Sequence, residues 1–184
     1  PFHLDAAQWL GKRPASALAE APLLTGCAHK FGGPKGVGFL KLPPEAAGLR
    51  VLVGGEQEQG ARAGTENVAA NLAMLAALEH REASLDRLRA TWRAGRDAFE
   101  TELAASLPGV RFVGAEADRL ENTSLAILPR FRNTRWAALL DGEGFAVATG
   151  SACATAKEGP SHVLAALGED PQAAERAIRC SADV

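Results

Sequence analysis

Two side chains in this sequence stand where covalent or sulfur chemistry could occur. Lys30 lies in Cys27-Ala28-His29-Lys30 and leads straight into Phe31-Gly32-Gly33-Pro34-Lys35-Gly36. A lysine that bonds to a carbonyl must lose its proton and be held rigidly, and a tight turn among small residues at a strand end suits both needs. Lys35 competes for the role, and a solvated loop lysine is the plain alternative for either. Cys153 follows Gly150-Ser151-Ala152 and precedes Ala154-Thr155-Ala156-Lys157-Glu158-Gly159, a stretch with no sustained apolar pattern. A thiol on such a loop, near Lys157, is expected to be accessible and inclined to ionise; a small buried cysteine is the alternative.

Other polar residues form a second tier. Asp5 precedes Lys30 by 25 positions and has Gln8 three residues on. By itself a carboxylate at a strand end often just closes a turn or caps. Arg179, in Ile178-Arg179-Cys180-Ser181, offers a fork for a carboxylate or is an ordinary strand arginine. His162, at an expected helix start, reads as a capping or packing residue rather than a base. The three cysteines (Cys27, Cys153, Cys180) are widely spaced and odd in number, which argues against a disulfide framework or zinc ribbon and for a reducing, cytoplasmic setting.

These residues need elements to position them. Strands are expected at 2–5, 21–25 and 37–40, with a brief helical or irregular stretch around 15–20. A glycine-rich loop, 54–64, leads into Thr65-Glu66-Asn67, where Thr65 is expected to cap an alanine-rich helix over 68–80. A second, amphipathic helix is expected over 83–107, burying Leu85, Leu88, Trp92, Phe99 and Leu103, and Pro108-Gly109 ends it. Strands at 110–113, 123–128, 145–149 and 177–181 then alternate with helices at 134–142, 161–167 and 171–176, the pattern of a small α/β domain. The domain boundary is expected between 80 and 108.

At 184 residues, 47% hydrophobic and 23% charged, the chain can bury a genuine core. Its net charge of −2, without a dense basic cluster, argues against nucleic acid, and no apolar run is long enough for a membrane span. No basic-then-apolar leader precedes the first expected strand, so nothing suggests export. The chain opens on Pro1 without Met and stops at Val184 without a polar tail, so it reads as a piece of a longer protein.

Four stretches in order, Asp5-Ala6-Ala7-Gln8, Cys27 to Gly36, Gly60-Ala61-Arg62-Ala63-Gly64-Thr65-Glu66-Asn67 and Gly150 to Cys153, are followed by Pro160-Ser161-His162-Val163-Leu164 and Ile178-Arg179. On these motifs the chain resembles the cysteine desulfurases, a family of fold-type I pyridoxal-phosphate enzymes, over nearly its whole length but only the latter half of such an enzyme. The resemblance implies an α/β fold: the C-terminal part of a fold-type I transferase large domain (1–90) plus a small C-terminal α/β domain (91–184) carrying the cysteine loop. It implies pyridoxal 5'-phosphate as cofactor, Lys30 as its lysine, Asp5 at the pyridine nitrogen, Gln8 beside the ring hydroxyl, and His29 and Thr65 at the phosphate. Thr65 would reach the cofactor of a second subunit in a homodimer. Arg179 would grip the carboxylate of L-cysteine, and Cys153 would take its sulfur as a persulfide for an acceptor or iron–sulfur scaffold protein. The spacing from Cys153 to Pro160 fits the subgroup with the longer cysteine loop.

The chain departs from the family pattern at Cys27, where a phosphate-binding hydroxyl is usual, at Glu56 and Gln59, which replace Gly and Arg, and at Cys180, which replaces an aromatic residue. The departures at Cys27, Glu56 and Gln59 imply weakened cofactor retention, and Cys180 is expected to pack inside. The missing half would supply the helix under the phosphate and the ring stacked on the cofactor, so this piece alone is expected to be inactive. A selenocysteine lyase, another class V aminotransferase and a non-catalytic remnant that only binds partners are the rival readings.

Overall fold

The computed structural model describes residues 2–46, 48–150 and 161–183. The chain divides into two compact units, Pro1–Arg87 and Leu88–Val184.

The first unit is built on a three-stranded sheet of β1 (His3–Asp5), β2 (Leu23–Cys27) and β3 (Gly38–Lys41). β1 runs parallel to β2, with Asp5 opposite Thr25, and β3 runs antiparallel to β2, with Gly38 opposite Cys27. β2 alternates between half-buried and buried positions, as a strand with one covered face should. At Gly26 a side chain would meet Leu10 at 2.5 Å and the Phe39 ring at 2.6 Å, so anything larger than glycine forces both to shift. Ala6, Leu10, Leu18, Ala21, Leu24, Ala28 and Phe31 form the core. Met74, Ala77 and Leu78, one turn of the helix α1 (Val68–Ser106), pack against it.

α1 is a single helix of 39 residues, where two were expected. Residues 80–83 contain neither Gly nor Pro, and Arg81, Glu82 and Ala83 are good helix formers, so nothing interrupts the helix there. Its cap is Asn67 rather than Thr65: the Asn67 Oδ1 accepts the Ala70 N–H at 3.2 Å, the geometry of an N-cap side chain reaching the third helical amide.

In the second unit α1 buries Leu88 and Trp92, and then its inward face continues through Arg96, Glu100 and Leu103 at steps of four, four and three, with Leu107 following just past the helix end. Phe99 falls one position off that ridge and is 39% exposed, contrary to expectation. The polar members of the ridge are paired. Glu100 receives Arg119 at 2.7 and 2.8 Å and the Ser124 hydroxyl at 2.5 Å, and Arg96 donates to the Leu120 carbonyl at 3.3 Å. One turn earlier, Arg89 grips the buried Glu121 with two bonds of 3.0 and 2.7 Å and Arg93 adds one of 3.1 Å. A carboxylate taken out of water requires such partners.

The sheet of this unit is antiparallel, in the order β4 (Arg111–Phe112), β5 (Thr123–Ile127), β6 (Ala177–Ser181). Ile127 and Ala177 turn to one face, with Leu164 of α3 (His162–Ala166) and Ala173 and Ala174 of α4 (Pro171–Ala174). Ala126, Leu128 and Ile178 turn to the other, with Leu107 and with Trp136 and Leu140 of α2 (Asn133–Gly142). The strand expected at 145–149 is reduced to one bridge, in which Ala148 and Arg179 exchange bonds of 3.0 and 2.7 Å. No helix among the described residues is long and apolar enough to cross a membrane.

Candidate functional site

Because β1 and β2 are parallel, both end at the same edge of the first unit's sheet, where open α/β sheets gather their ligands. Asp5 is the last residue of β1, and His29 and Lys30 lie in the single 3-10 turn (Ala28–Lys30) that follows β2. All three are exposed. The turn is anchored on both sides, since Ala28 is 0% and Phe31 1% exposed. The Phe31 and Gly33 N–H groups both donate to the Ala28 carbonyl, at 3.1 and 2.9 Å, and the Ala28 N–H donates to Val37 at 3.1 Å. A Cβ on Gly33 would stand 2.7 Å from that of Ala28, and one on Gly11 would collide with Phe31. Thus the Lys30 backbone is held between two buried anchors while its amine projects freely, with no hydrogen-bond or ion-pair partner among the described residues. Lys35 is exposed between Pro34 and a glycine at φ +80°, without such anchors.

The Asp5 carboxylate accepts the Ala7 N–H at 2.9 Å through Oδ1. Gln8 is exposed, and its side-chain oxygen accepts a hydrogen bond from the Lys12 ammonium, which leaves the amide NH2 as the end that faces outward for donation. Cys27, the last residue of β2, is half-buried. Thr65 is exposed in the segment ahead of α1. The loop before it is knotted by its own polar groups. Gln57 accepts the Gly64 N–H at 3.2 Å, Arg62 pairs with Glu58 at 3.1 Å, and Arg50 donates to the Gly60 carbonyl at 3.1 Å. Glu58 and Gln59 both adopt left-handed backbone, φ +53° and +54°, which is strained for side-chain-bearing residues.

Arg179 belongs to the second unit. It lies on β6 opposite Leu125 and bridged to Ala148, half-buried, with no side-chain partner among the described residues. Its neighbour Cys180 packs against the Ala126–Leu128–Ile178 cluster, and burial pushes its thiol pKa up, so it stays protonated and unreactive. His162 neither caps nor packs: Ser161 accepts the Leu164 N–H as the cap of α3, and His162 is exposed. Cys153 lies outside the described residues.

The sequence reading missed the supports. Phe31 anchors the Lys30 turn, Lys12 orients Gln8, and Arg81 of α1 donates to the Phe31 carbonyl at 3.3 Å from 50 residues away. Lys12 stands four residues after Gln8, a helical spacing that could have flagged it; no local signal points to Arg81.

Residues 1–182 match the family model described as Aminotransferase class-V. The cysteine desulfurase of Rhodobacter capsulatus is 40% identical over 185 residues, covering 98% of this chain and 47% of its own length. The solved structure of a NifS-like protein matches with a TM-score of 0.84 and 31% identity, over 98% of this chain and 46% of that one. SspA, solved in complex with cysteine, matches with a TM-score of 0.70 and 27% identity, over 100% of this chain and 50% of that one. The chain therefore spans about half the length of the relatives it matches. The expected resemblance and the expected α/β fold of a partial fold-type I enzyme are both borne out.

Proposed function

The chain belongs to the aminotransferase class-V family, and from that premise we propose that it is the C-terminal portion of a cysteine desulfurase, which uses pyridoxal 5'-phosphate to convert L-cysteine into L-alanine and a persulfide on Cys153. The observation that carries the reading is the placing of Asp5 and an anchored Lys30, unpartnered among the described residues, at one edge of two parallel strands.

The residues present fit the cofactor. Its pyridine nitrogen calls for a carboxylate, and Asp5 has one oxygen committed to its own turn and the other open among the described residues. Its ring oxygen calls for a donor, and the Gln8 amide, turned by Lys12, presents one. His29 and Thr65 would hold the phosphate, with Cys27 contributing little because a thiol is a weak donor. When bound, the cofactor draws electrons away from the substrate's α-carbon and so eases loss of its proton.

The chain's own groups do the rest. Arg179 binds the cysteine carboxylate through its guanidinium fork. The Lys30 amine, with no competing partner among the described residues, takes the α-proton and returns a proton to the product. The Cys153 thiolate attacks the substrate sulfur; a sulfur–sulfur bond forms on Cys153 as the substrate's carbon–sulfur bond breaks. A homodimer in which Thr65 serves the other subunit's cofactor, and a sulfur-acceptor protein, complete the reading.

The test is to add pyridoxal phosphate, reduce with borohydride and map the adduct by peptide mass spectrometry. One adduct is expected at Lys30, absent in Lys30→Ala and not replaced by one at Lys35. Labelling spread over Lys12, Lys35, Lys41 and Lys157, or centred on Lys35, would overturn the assignment. In the complete enzyme Cys153→Ala is expected to keep the Lys30 adduct and lose sulfur transfer.

A further inference from the structure

The turn entering α2 carries a surface that the reaction does not use. Phe131 is 45% exposed and has left-handed backbone at φ +58°, a conformation that glycine or asparagine would adopt at lower cost. It stacks on the exposed Arg135 side chain, whose guanidinium carbon lies 4.1 Å from its centroid, and leans on the half-buried Trp136 ring, 6.0 Å away at 55°. Trp136 in turn donates its indole N–H to the Arg130 carbonyl at 2.6 Å, which locks the turn. Strain held on an exposed aromatic residue is the kind of outlier from which a functional surface is argued.

Around the ring lie three exposed arginines, Arg130, Arg132 and Arg135, in a chain whose net charge is −2. Among the described residues Arg132 alone of the three has a carboxylate, Glu175 at 3.3 Å, and the pair is open to solvent. The patch therefore keeps an excess of positive charge about a rigid aromatic centre. Arginine, tryptophan and phenylalanine are enriched in protein–protein interfaces, and rim charges choose the partner's sign. Three arginines are few for a nucleic-acid track, which takes many phosphate contacts.

The position matters as well. Asn133, the first residue of α2, donates its side-chain amide to the Thr149 carbonyl at 3.3 Å. Thr149 precedes Cys153 by four residues, and four residues of chain span at most about 14 Å. The patch is thus tied to the root of the segment that bears the sulfur-carrying thiol.

We propose that the Arg130–Trp136 turn is the docking surface for an acidic, thiol-bearing protein that accepts the sulfur, its carboxylates meeting the arginines and an apolar side chain meeting Phe131. This rests on the desulfurase reading. In the transfer the partner's thiolate attacks the outer sulfur of the Cys153 persulfide; a new sulfur–sulfur bond forms on the partner, the old one breaks, and Cys153 leaves as thiolate. No outside oxidant or reductant is needed.

Binding is read by fluorescence anisotropy of a fluorescein-labelled glutamate-rich peptide with a central leucine, against a lysine-rich counterpart, on the 184-residue chain without cofactor. The acidic peptide is expected to bind more tightly. Arg130→Glu with Arg135→Glu should weaken it about tenfold and flatten its salt dependence. Phe131→Gly, which suits the backbone and keeps every charge, should weaken it about threefold with the salt dependence unchanged. Arg87→Glu, an exposed arginine outside the patch, should change nothing. Circular dichroism confirms that each variant is folded. No binding of the acidic peptide, equal binding of both peptides, or wild-type affinity in the double variant would overturn the proposal. So would stronger competition by a single-stranded oligonucleotide, which would reassign the patch to nucleic acid. Since neither cofactor nor persulfide is involved, this result stands or falls separately from labelling at Lys30.

Discussion

Replacing Phe31 with alanine removes a ring that is 1% exposed and that anchors the turn bearing Lys30. A buried phenylalanine hides about 200 Å², which corresponds to about 5 kcal/mol at the usual surface coefficient. The denatured chain already hides part of that area, and the retained β-carbon keeps its close approach to Gly11, so the expected loss is about 4 kcal/mol. Phe31→Leu, which refills most of the space, should cost under about 1.5 kcal/mol. Urea unfolding of the 184-residue chain, followed by circular dichroism, measures both. Against a typical domain stability of about 5–15 kcal/mol, the alanine variant should show a much lower midpoint while the leucine variant remains folded. The leucine variant, labelled with pyridoxal phosphate and borohydride, should still react at Lys30 but with reduced preference over Lys35, because the turn is less firmly held. If alanine and leucine cost the same, or if Phe31→Leu labels Lys30 as selectively as the wild type, the anchoring argument is wrong.

Two further outcomes follow from side chains outside that turn. Burial raises the pKa of Glu100, but the hydrogen bonds from Arg119 and Ser124 outweigh it and hold the carboxyl below its ordinary value. A folded pKa below the unfolded one means that the network stabilises fully above the unfolded value, about 4.3, and progressively less as pH falls through the folded one. Urea midpoints of the wild type should therefore drop in that acid range, whereas Glu100→Gln, less stable by about 1 kcal/mol at neutral pH, should show a shallower drop. At the start of α1, Asn67→Ala should cost about 1 kcal/mol while Thr65→Ala leaves stability unchanged; the reverse order in thermal melts would return the cap to Thr65.

Much of the candidate site was legible because it depends on residue type and short spacing. Asp5 with Gln8, and His29-Lys30 before a run of glycines, are local patterns, and their elements were placed to within about two residues for β1, β2, β3, β5, α2 and β6. Local propensity and turn residues decide such elements, so sequence suffices for them. Which lysine the fold sets apart was not local. Lys30 and Lys35 share one loop, and only the burial of Ala28 and Phe31 against distant residues, with Arg81 reaching from α1, distinguishes them. The inward face of α1 was misread at Phe99 because periodicity in apolar residues cannot see a ridge completed by a paired Glu100 and Arg96. For the same reason the strand expected at 145–149 shrank to one bridge: alternation can suggest a strand, but a strand exists only where a neighbour offers it a row of hydrogen bonds, and β6 offers Ala148 a single pair. The sequence by itself determined which groups are available for chemistry and the local elements that carry them. Their burial, pairing and rigidity were decided by tertiary contacts between residues far apart in the chain.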